Sequence, residues 1–223
     1  MSLVIDYRNV RLCHDGRTVL DGVSISVEEG EMIYLMGQVG SGKSTLLGSM
    51  YGDVAVSGEM AMVLSTPMIG MKTSKLPLLR RRVGIVHQEL RLLPDRTIYE
   101  NLDFVLRATD WKNSAARAKR IAEVLDWVEL DDVAGKFPYQ LSGGQKQCIC
   151  IARAILNSPG LILADEPTGQ LDGESGERVM ALLDEVRRQC GTAVVVSTHN
   201  PVWPKDFPGK VYVCADETVK LLS

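Results

Sequence analysis

The run Gly37-Gln38-Val39-Gly40-Ser41-Gly42-Lys43-Ser44-Thr45 restricts what this chain can fold into more than any other stretch. It satisfies every fixed position of the G-x-x-x-x-G-K-[ST] phosphate loop. The apolar run Met32–Met36 before it reads as a buried strand, and Ser44-Thr45-Leu46-Leu47 opens a helix. Glycines at 37, 40 and 42 let the backbone curl until successive N–H groups face one point. With the positive end of the following helix, that nest suits a polyphosphate. Lys43 would reach the β- and γ-phosphates, and the Ser44 hydroxyl would hold Mg²⁺. A Gly-rich turn carrying a solvated lysine is the plainer alternative, and the flanking strand and helix weigh against it. The expectation is a nucleoside triphosphate site spanning Gly37 to Thr45.

The chain has 223 residues, enough for one α/β domain with a sizeable core. Its net charge of −3 gives no general footprint for nucleic acid or an anionic membrane. No run of 18 or more apolar residues appears, so no membrane span is expected. The first residues show no basic segment followed by an apolar one, so no secretory signal is expected. The five cysteines, at 13, 148, 150, 190 and 214, are scattered and odd in number. That suits a reducing compartment better than a disulfide framework. Cys148 and Cys150 lack a CxxC spacing or a nearby His and read as packing residues, not metal ligands.

Residues 3–12 and 19–27 read as antiparallel strands joined at His14-Asp15-Gly16, with Val23, Ile25 and Val27 on one face. After the phosphate loop and a helix over 43–50, Ser57-Gly58-Glu59 reads as a turn into a strand over 60–64. A loop over 65–76 and a short helix over 76–82 started by Pro77 follow. Arg80-Arg81-Arg82 reads as a solvated face. Val83-Gly84-Ile85-Val86 is a buried strand ending at His87-Gln88. Helices are expected over 97–108, 114–128 and 143–157; in the middle one Ala118, Ile121, Ala122, Leu125 and Val128 follow helical spacing. Residues 160–164 form another buried strand, 173–189 a helix, 192–197 a β-branched strand, and 210–214 with 218–222 a terminal hairpin. The expected architecture is a single domain over 1–223. A nucleotide-binding core (1–88 and 158–223) would be interrupted by a helical lobe (89–157).

Several strand ends carry chemistry. Leu161-Ile162-Leu163-Ala164 runs into Asp165-Glu166, and adjacent strand residues point to opposite sides, so the two carboxylates can act separately. Ligands of open parallel sheets sit at the carboxyl ends of the strands, where Lys43 and this pair would meet. Asp165 would join the Mg²⁺ shell, and Glu166 would orient the attacking water. Gln88, ending another strand, could touch Mg²⁺ or the water; His199, ending a third, could hydrogen-bond the γ-phosphate. Taken singly, each could instead be a structural residue. Leu141-Ser142-Gly143-Gly144-Gln145 precedes a helix, with Ser142 as cap and two glycines exposing N–H groups. It is either a capped helix start or a second anion site.

Together these features resemble the ATP-binding cassette (ABC) family. The phosphate loop (37–45), Gln88, LSGGQ (141–145), Asp165-Glu166, Leu171-Asp172 and His199 stand in that family's order across essentially the whole chain. The resemblance implies the ABC ATPase fold, a P-loop NTPase core with an N-terminal antiparallel β subdomain and an inserted helical subdomain. It also implies a Mg²⁺-dependent ATP hydrolase that dimerises head to tail on ATP. Each ATP would lie between the phosphate loop of one copy and the signature Ser142, Gly143, Gly144 and Gln145 of the other. Ser142 and Gly144 would meet the γ-phosphate there. His14 stands where an aromatic ring usually stacks on adenine, His87 where Phe is usual, Cys148 for an arginine and Gln170 for an asparagine. None of these departures removes a catalytic group.

Within the family, 94–109 (Pro94-Asp95-Arg96-Thr97-Ile98-Tyr99-Glu100-Asn101-Leu102 onward) and 163–169 resemble most the ATPases of bacterial cell division. The second stretch is shared with lipoprotein-release and macrolide-export ATPases. The resemblance implies an integral membrane partner contacted around 90–109, and a place at the inner face of the cell membrane through that partner. An exporter ATPase and an ATP-gated scaffold remain as rivals. A soluble repair or translation cassette fits poorly, since those usually carry two cassettes or long insertions.

Overall fold

The computed structural model describes every residue except Met1, Asp15 and Ser223, so the first expected turn lies partly outside the described residues. In chain order the strands and helices are β1 (Leu3–His14), β2 (Arg17–Glu28), β3 (Met32–Met36), α1 (Lys43–Met50), β4 (Val56–Val63) and β5 (Thr66–Pro67). Then come α2 (Leu76–Arg80), β6 (Val83–Val86), α3 (Ile98–Ala108), α4 (Ser114–Trp127), α5 (Gly143–Ile155) and β7 (Leu161–Asp165). The chain closes with α6 (Gly173–Cys190), β8 (Ala193–Thr198), α7 (Trp203–Asp206), β9 (Lys210–Ala215) and β10 (Thr218–Leu221).

The strands form two sheets. One is antiparallel, in the order β2-β1-β4-β5; the other runs β10-β9-β3-β8-β7-β6 and is parallel except for β10. The parallel strands are short apolar runs because both of their faces are covered. Met32, Tyr34, Ile162, Ala164, Val194 and Val196 pack with the α3–α6 helices. Their neighbours Ile33, Leu35, Leu161, Leu163, Ala193 and Val195 pack with α1 and the antiparallel sheet. Period-two alternation thus splits each strand between two cores. Register sets Met36 beside Thr198, Asp165 beside Ser197 and Val86 beside Ala164, so four carboxyl ends lie level.

Two local expectations are corrected. Ser57-Gly58-Glu59 is not a turn: β4 runs through it, with Gly58 opposite Val10 and Ser57 opposite Arg11. Pairing with a long neighbouring strand overrides the turn signal. On α4, Ala118 and Ala122 are exposed, and the buried stripe is Arg117, Ile121, Val124 and Leu125. Arg117 can be buried because Asp103 of α3 meets it at 2.6 Å and the Trp111 and Lys112 carbonyls accept its other protons. Arg80 at the end of α2 and Arg82 just beyond it are exposed, as a solvated face requires, and they also donate to backbone, Arg80 to the Tyr51 and Gly52 carbonyls and Arg82 to that of Leu64.

Burial pushes the Asp103 carboxyl up, but the hydrogen bonds and charges of Arg117 and Arg107 outweigh it and hold the group below its ordinary value. Removing the carboxylate in Asp103→Ala strands a buried guanidinium and is expected to cost about 3–5 kcal/mol in denaturant titrations. A carboxyl whose folded pKa is depressed contributes fully above its unfolded pKa and loses that contribution as pH falls through the folded one. The variant's deficit should therefore shrink below about pH 4. A deficit unchanged at low pH would assign the loss to packing.

Candidate functional site

The phosphate loop is shaped by what surrounds it. A Cβ on Gly37 would stand 2.4 Å from the Cys214 carbonyl oxygen and 2.5 Å from Ser41 Oγ, so only glycine lets the chain leave β3 here. Gly40 (φ 83°) and Gly42 (φ 95°) take the left-handed turn that aims the N–H groups. Gly42 caps α1 with no side chain, which leaves the positive helix end open to an anion. Lys43 is buried, and its Nζ donates to the Gly37 (2.8 Å) and Gln38 (3.0 Å) carbonyls, fixing the ammonium over the loop. Val39 is 94% exposed at the loop. Among the described residues Ser41 Oγ is the one buried side-chain oxygen or nitrogen without a hydrogen-bond partner. Ser44 is exposed and Thr45 half-buried at the start of α1.

At the ends of β7 and β8, Asp165 Oδ1 accepts from Ser197 Oγ at 2.5 Å. Ser197 also accepts the Glu166 N–H, through both its hydroxyl (3.0 Å) and its carbonyl (3.1 Å). The strand stops at Asp165, and Glu166 is left-handed (φ 45°), so this turn and not strand alternation separates the two carboxylates. The turn carries Glu166 to Lys43, 3.8 Å from Nζ, and to His199, whose Nδ1 lies 3.0 Å from Oε2. The Glu166 side chain is only 12% exposed, whereas that of His199 is 63% exposed. Three strand ends thus bring Lys43, Asp165, Glu166 and His199 together.

Gln88 is not part of that group. It is exposed two residues beyond β6 and makes no hydrogen bond to these four among the described residues. His14 is exposed at the end of β1, opposite Arg17. Ser44, Asp165 and Gln88 offer hard oxygen donors that fit Mg²⁺, and no three of His, Cys, Asp and Glu cluster as a metal cage among the described residues. A Mg²⁺ ion held here would draw its remaining ligands from phosphate oxygens and water.

The signature opens α5 with a full capping box. Ser142 Oγ accepts from Gln145 N (3.2 Å), and Gln145 Oε1 accepts from Ser142 N (3.0 Å). Ser142 and Gly143 are exposed, and no hydrogen bond ties the signature to the phosphate loop of the same chain among the described residues. The other end of α5 is tied to the turn after Gln88. Arg153 donates to the Arg91 (2.7 Å) and Leu90 (3.0 Å) carbonyls, and the Cys150 thiol to that of Leu90 (3.2 Å). Cys148 and Cys150 are both buried, and burial pushes the Cys150 thiol up to about 11, as inert packing residues require. His87 is half-buried, and burial with the nearby Arg91 and Arg153 charges holds its pKa below the ordinary value, so the ring is neutral at pH 7. Sequence reasoning missed Ser197 and Arg153. Only Arg153 left a signal, three residues from Cys150 on one helix face.

The fold and these strand ends define a nucleotide-dependent ATPase cassette. The profile of the family described as ABC transporter matches residues 20–169, and the chain belongs to that family. It is an ATP-binding subunit and an ATP hydrolase of the ABC type. It is similar to the cell division ATP-binding protein FtsE of Streptococcus pneumoniae, 41% identical over 198 residues that cover 88% of this chain and 85% of the relative. It is also similar to the methionine import ATP-binding protein MetN of Corynebacterium diphtheriae, at 41% identity over 88% of this chain but 57% of the relative. Among solved structures, the dimeric post-hydrolysis ATP-binding cassette MJ0796 bound to ADP and Pi superposes with a TM-score of 0.85. It is 31% identical, with 98% of this chain and 99% of that one covered.

Proposed function

We propose that the chain binds MgATP between two copies of itself and hydrolyses it to drive a membrane protein in bacterial cell division. The carrying observation is the Glu166 carboxylate, lodged between the Lys43 ammonium and the His199 imidazole beside an Asp165 that Ser197 holds in place. Gly37 to Thr45 cradle the phosphates, and Lys43 moves from the loop carbonyls to the β- and γ-oxygens. His14 stacks on the base. Ser44, Asp165 and Gln88 hold the Mg²⁺, which neutralises phosphate charge when bound. Glu166 accepts a hydrogen bond from the attacking water, and His199 steadies the γ-phosphate and the carboxylate together. Ser142, Gly143, Gly144 and Gln145 close the site from the second copy, in keeping with an exposed signature that makes no bond to its own phosphate loop.

The membrane partner is read as an FtsX-like permease whose cell-wall hydrolases lie across the membrane. Similarity to FtsE supports it, as does a cavity of about 250 Å³ lined by His87, Arg91, Leu93, Phe104 and Arg153. Phe104 is 52% exposed there with Arg96 over its ring. Asn101 holds the wall rigid, accepting from Leu93 N and donating to the Leu93, Arg96 and Thr97 carbonyls. No helix among the described residues is long and apolar enough to cross a membrane, so attachment at the inner face would come through the partner. The similarity to MetN keeps a transport role as the second reading.

The test is to immobilise Glu166→Gln with MgATP, pass detergent-solubilised host membranes over it, and identify the retained proteins by mass spectrometry. An FtsX-like protein with a large extracytoplasmic loop is the expected capture. A solute or lipoprotein permease would overturn the division role and leave the ATPase chemistry standing.

A further inference from the structure

Among the described residues, side-chain hydrogen bonds join the segments after β7 and β8 at two places, and the first is the Glu166–His199 contact. At the second, the Trp203 indole Nε1 donates to Thr168 Oγ1 at 3.0 Å. Trp203 is buried, and its ring fills a notch left by Gly176 of α6, where a Cβ would press on the indole at 3.2 Å. Its backbone is fixed as well. Tyr34 of β3, the strand that feeds the phosphate loop, donates its hydroxyl to the Phe207 (2.7 Å) and Trp203 (3.3 Å) carbonyls. Thr168 lies two residues beyond Glu166, in a turn closed by Gly169 N to the Glu166 carbonyl (3.1 Å). His199 is joined to Trp203 by a tight run, with Asn200 N on Thr198 Oγ1 and Val202 N on Asn200 Oδ1, each at 3.0 Å. Movement of one loop relative to the other would stretch the indole–hydroxyl bond.

We propose that Trp203 and Thr168 are positioning residues for hydrolysis: their hydrogen bond sets the spacing of the two loops and so holds Glu166 and His199 in contact. The inference rests on the catalytic reading of Glu166 and His199 above. Among the described residues the exposed His199 side chain makes no hydrogen bond besides that to Glu166, and a drift of one loop against the other would part the imidazole from the carboxylate.

The test is steady-state ATPase kinetics on Trp203→Phe, which keeps a ring in the notch and removes the N–H, on Thr168→Val, and on the double variant. Each single change is expected to lower kcat about five- to tenfold, with KM for ATP and Tm nearly unchanged. The double variant should lose no more than either single one, and Thr168→Ser, which keeps the acceptor, should retain wild-type kcat. Unchanged kcat in Trp203→Phe, losses that multiply in the double variant, or a Thr168→Ser as impaired as Thr168→Val would each overturn the proposal. Glu166→Gln is the reference. Normal turnover in that variant would fail the catalytic reading itself, whereas an inactive Glu166→Gln beside an unimpaired Trp203→Phe would fail the tie alone.

Discussion

Glu166→Gln is expected to cut ATP turnover by about 10²- to 10⁴-fold, the usual contribution of a positioned base, and to accumulate an ATP-bound dimer. The amide has the size of the carboxylate it replaces, so it can occupy the same space between Lys43 and His199. What it lacks is the negative charge that makes a strong acceptor for the water proton. Lys43 keeps its bonds to the Gly37 and Gln38 carbonyls, so the loop that grips phosphate stays built. Binding should persist while chemistry stops, and light scattering after size exclusion in MgATP would read the trapped dimer. A variant that turns over normally would mean that another group orients the water.

The second large effect is the opposite one. Lys43→Ala should abolish nucleotide-dependent dimerisation and lower hydrolysis by at least about 10²- to 10³-fold, as loss of a preorganised charge on a transferring phosphoryl group does. The ammonium is buried, and two loop carbonyls already aim it, so its charge acts at short range with little water to screen it. Thermal unfolding gives a separate measure of binding. ATP at a hundred times Kd stabilises a binding protein by about 2.7 kcal/mol, and Lys43→Ala should show no such gain. Undiminished dimerisation would sink the assignment of the phosphate site.

Much of this site could be read from the chain because its parts lie at the ends of short apolar runs. Met32–Met36, Val83–Val86, Leu161–Asp165 and Ala193–Thr198 are apolar because a parallel sheet is covered on both faces. Their carboxyl ends then collect whatever polar residues follow. Contacts between segments far apart in the chain left no such trace. Arg117 is buried because Asp103, fourteen residues earlier, and the Trp111 and Lys112 carbonyls take up its protons, whereas periodicity assigns the buried face to Ala118 and Ala122. Ser197 looked like one more residue of a β-branched strand, yet register places it beside Asp165, where its hydroxyl bonds both acidic residues' groups. Gly58 carried a turn signal that a neighbouring strand cancelled. Trp203 read as nothing in particular until Thr168 and Gly176 were placed around it.

The left-handed backbone at Glu166 sets stability against work. A side chain with a Cβ pays about 1–2 kcal/mol to stand there, and glycine or asparagine would relieve much of that strain. Either would also take away the carboxylate that Lys43 and His199 face, so the relaxed turn comes with a lost ion pair and, on the catalytic reading, an idle site. Attempts to harden this chain by ranking substitutions on backbone strain alone would be drawn to this residue, and would exchange turnover for a relaxed turn in a protein that still binds ATP.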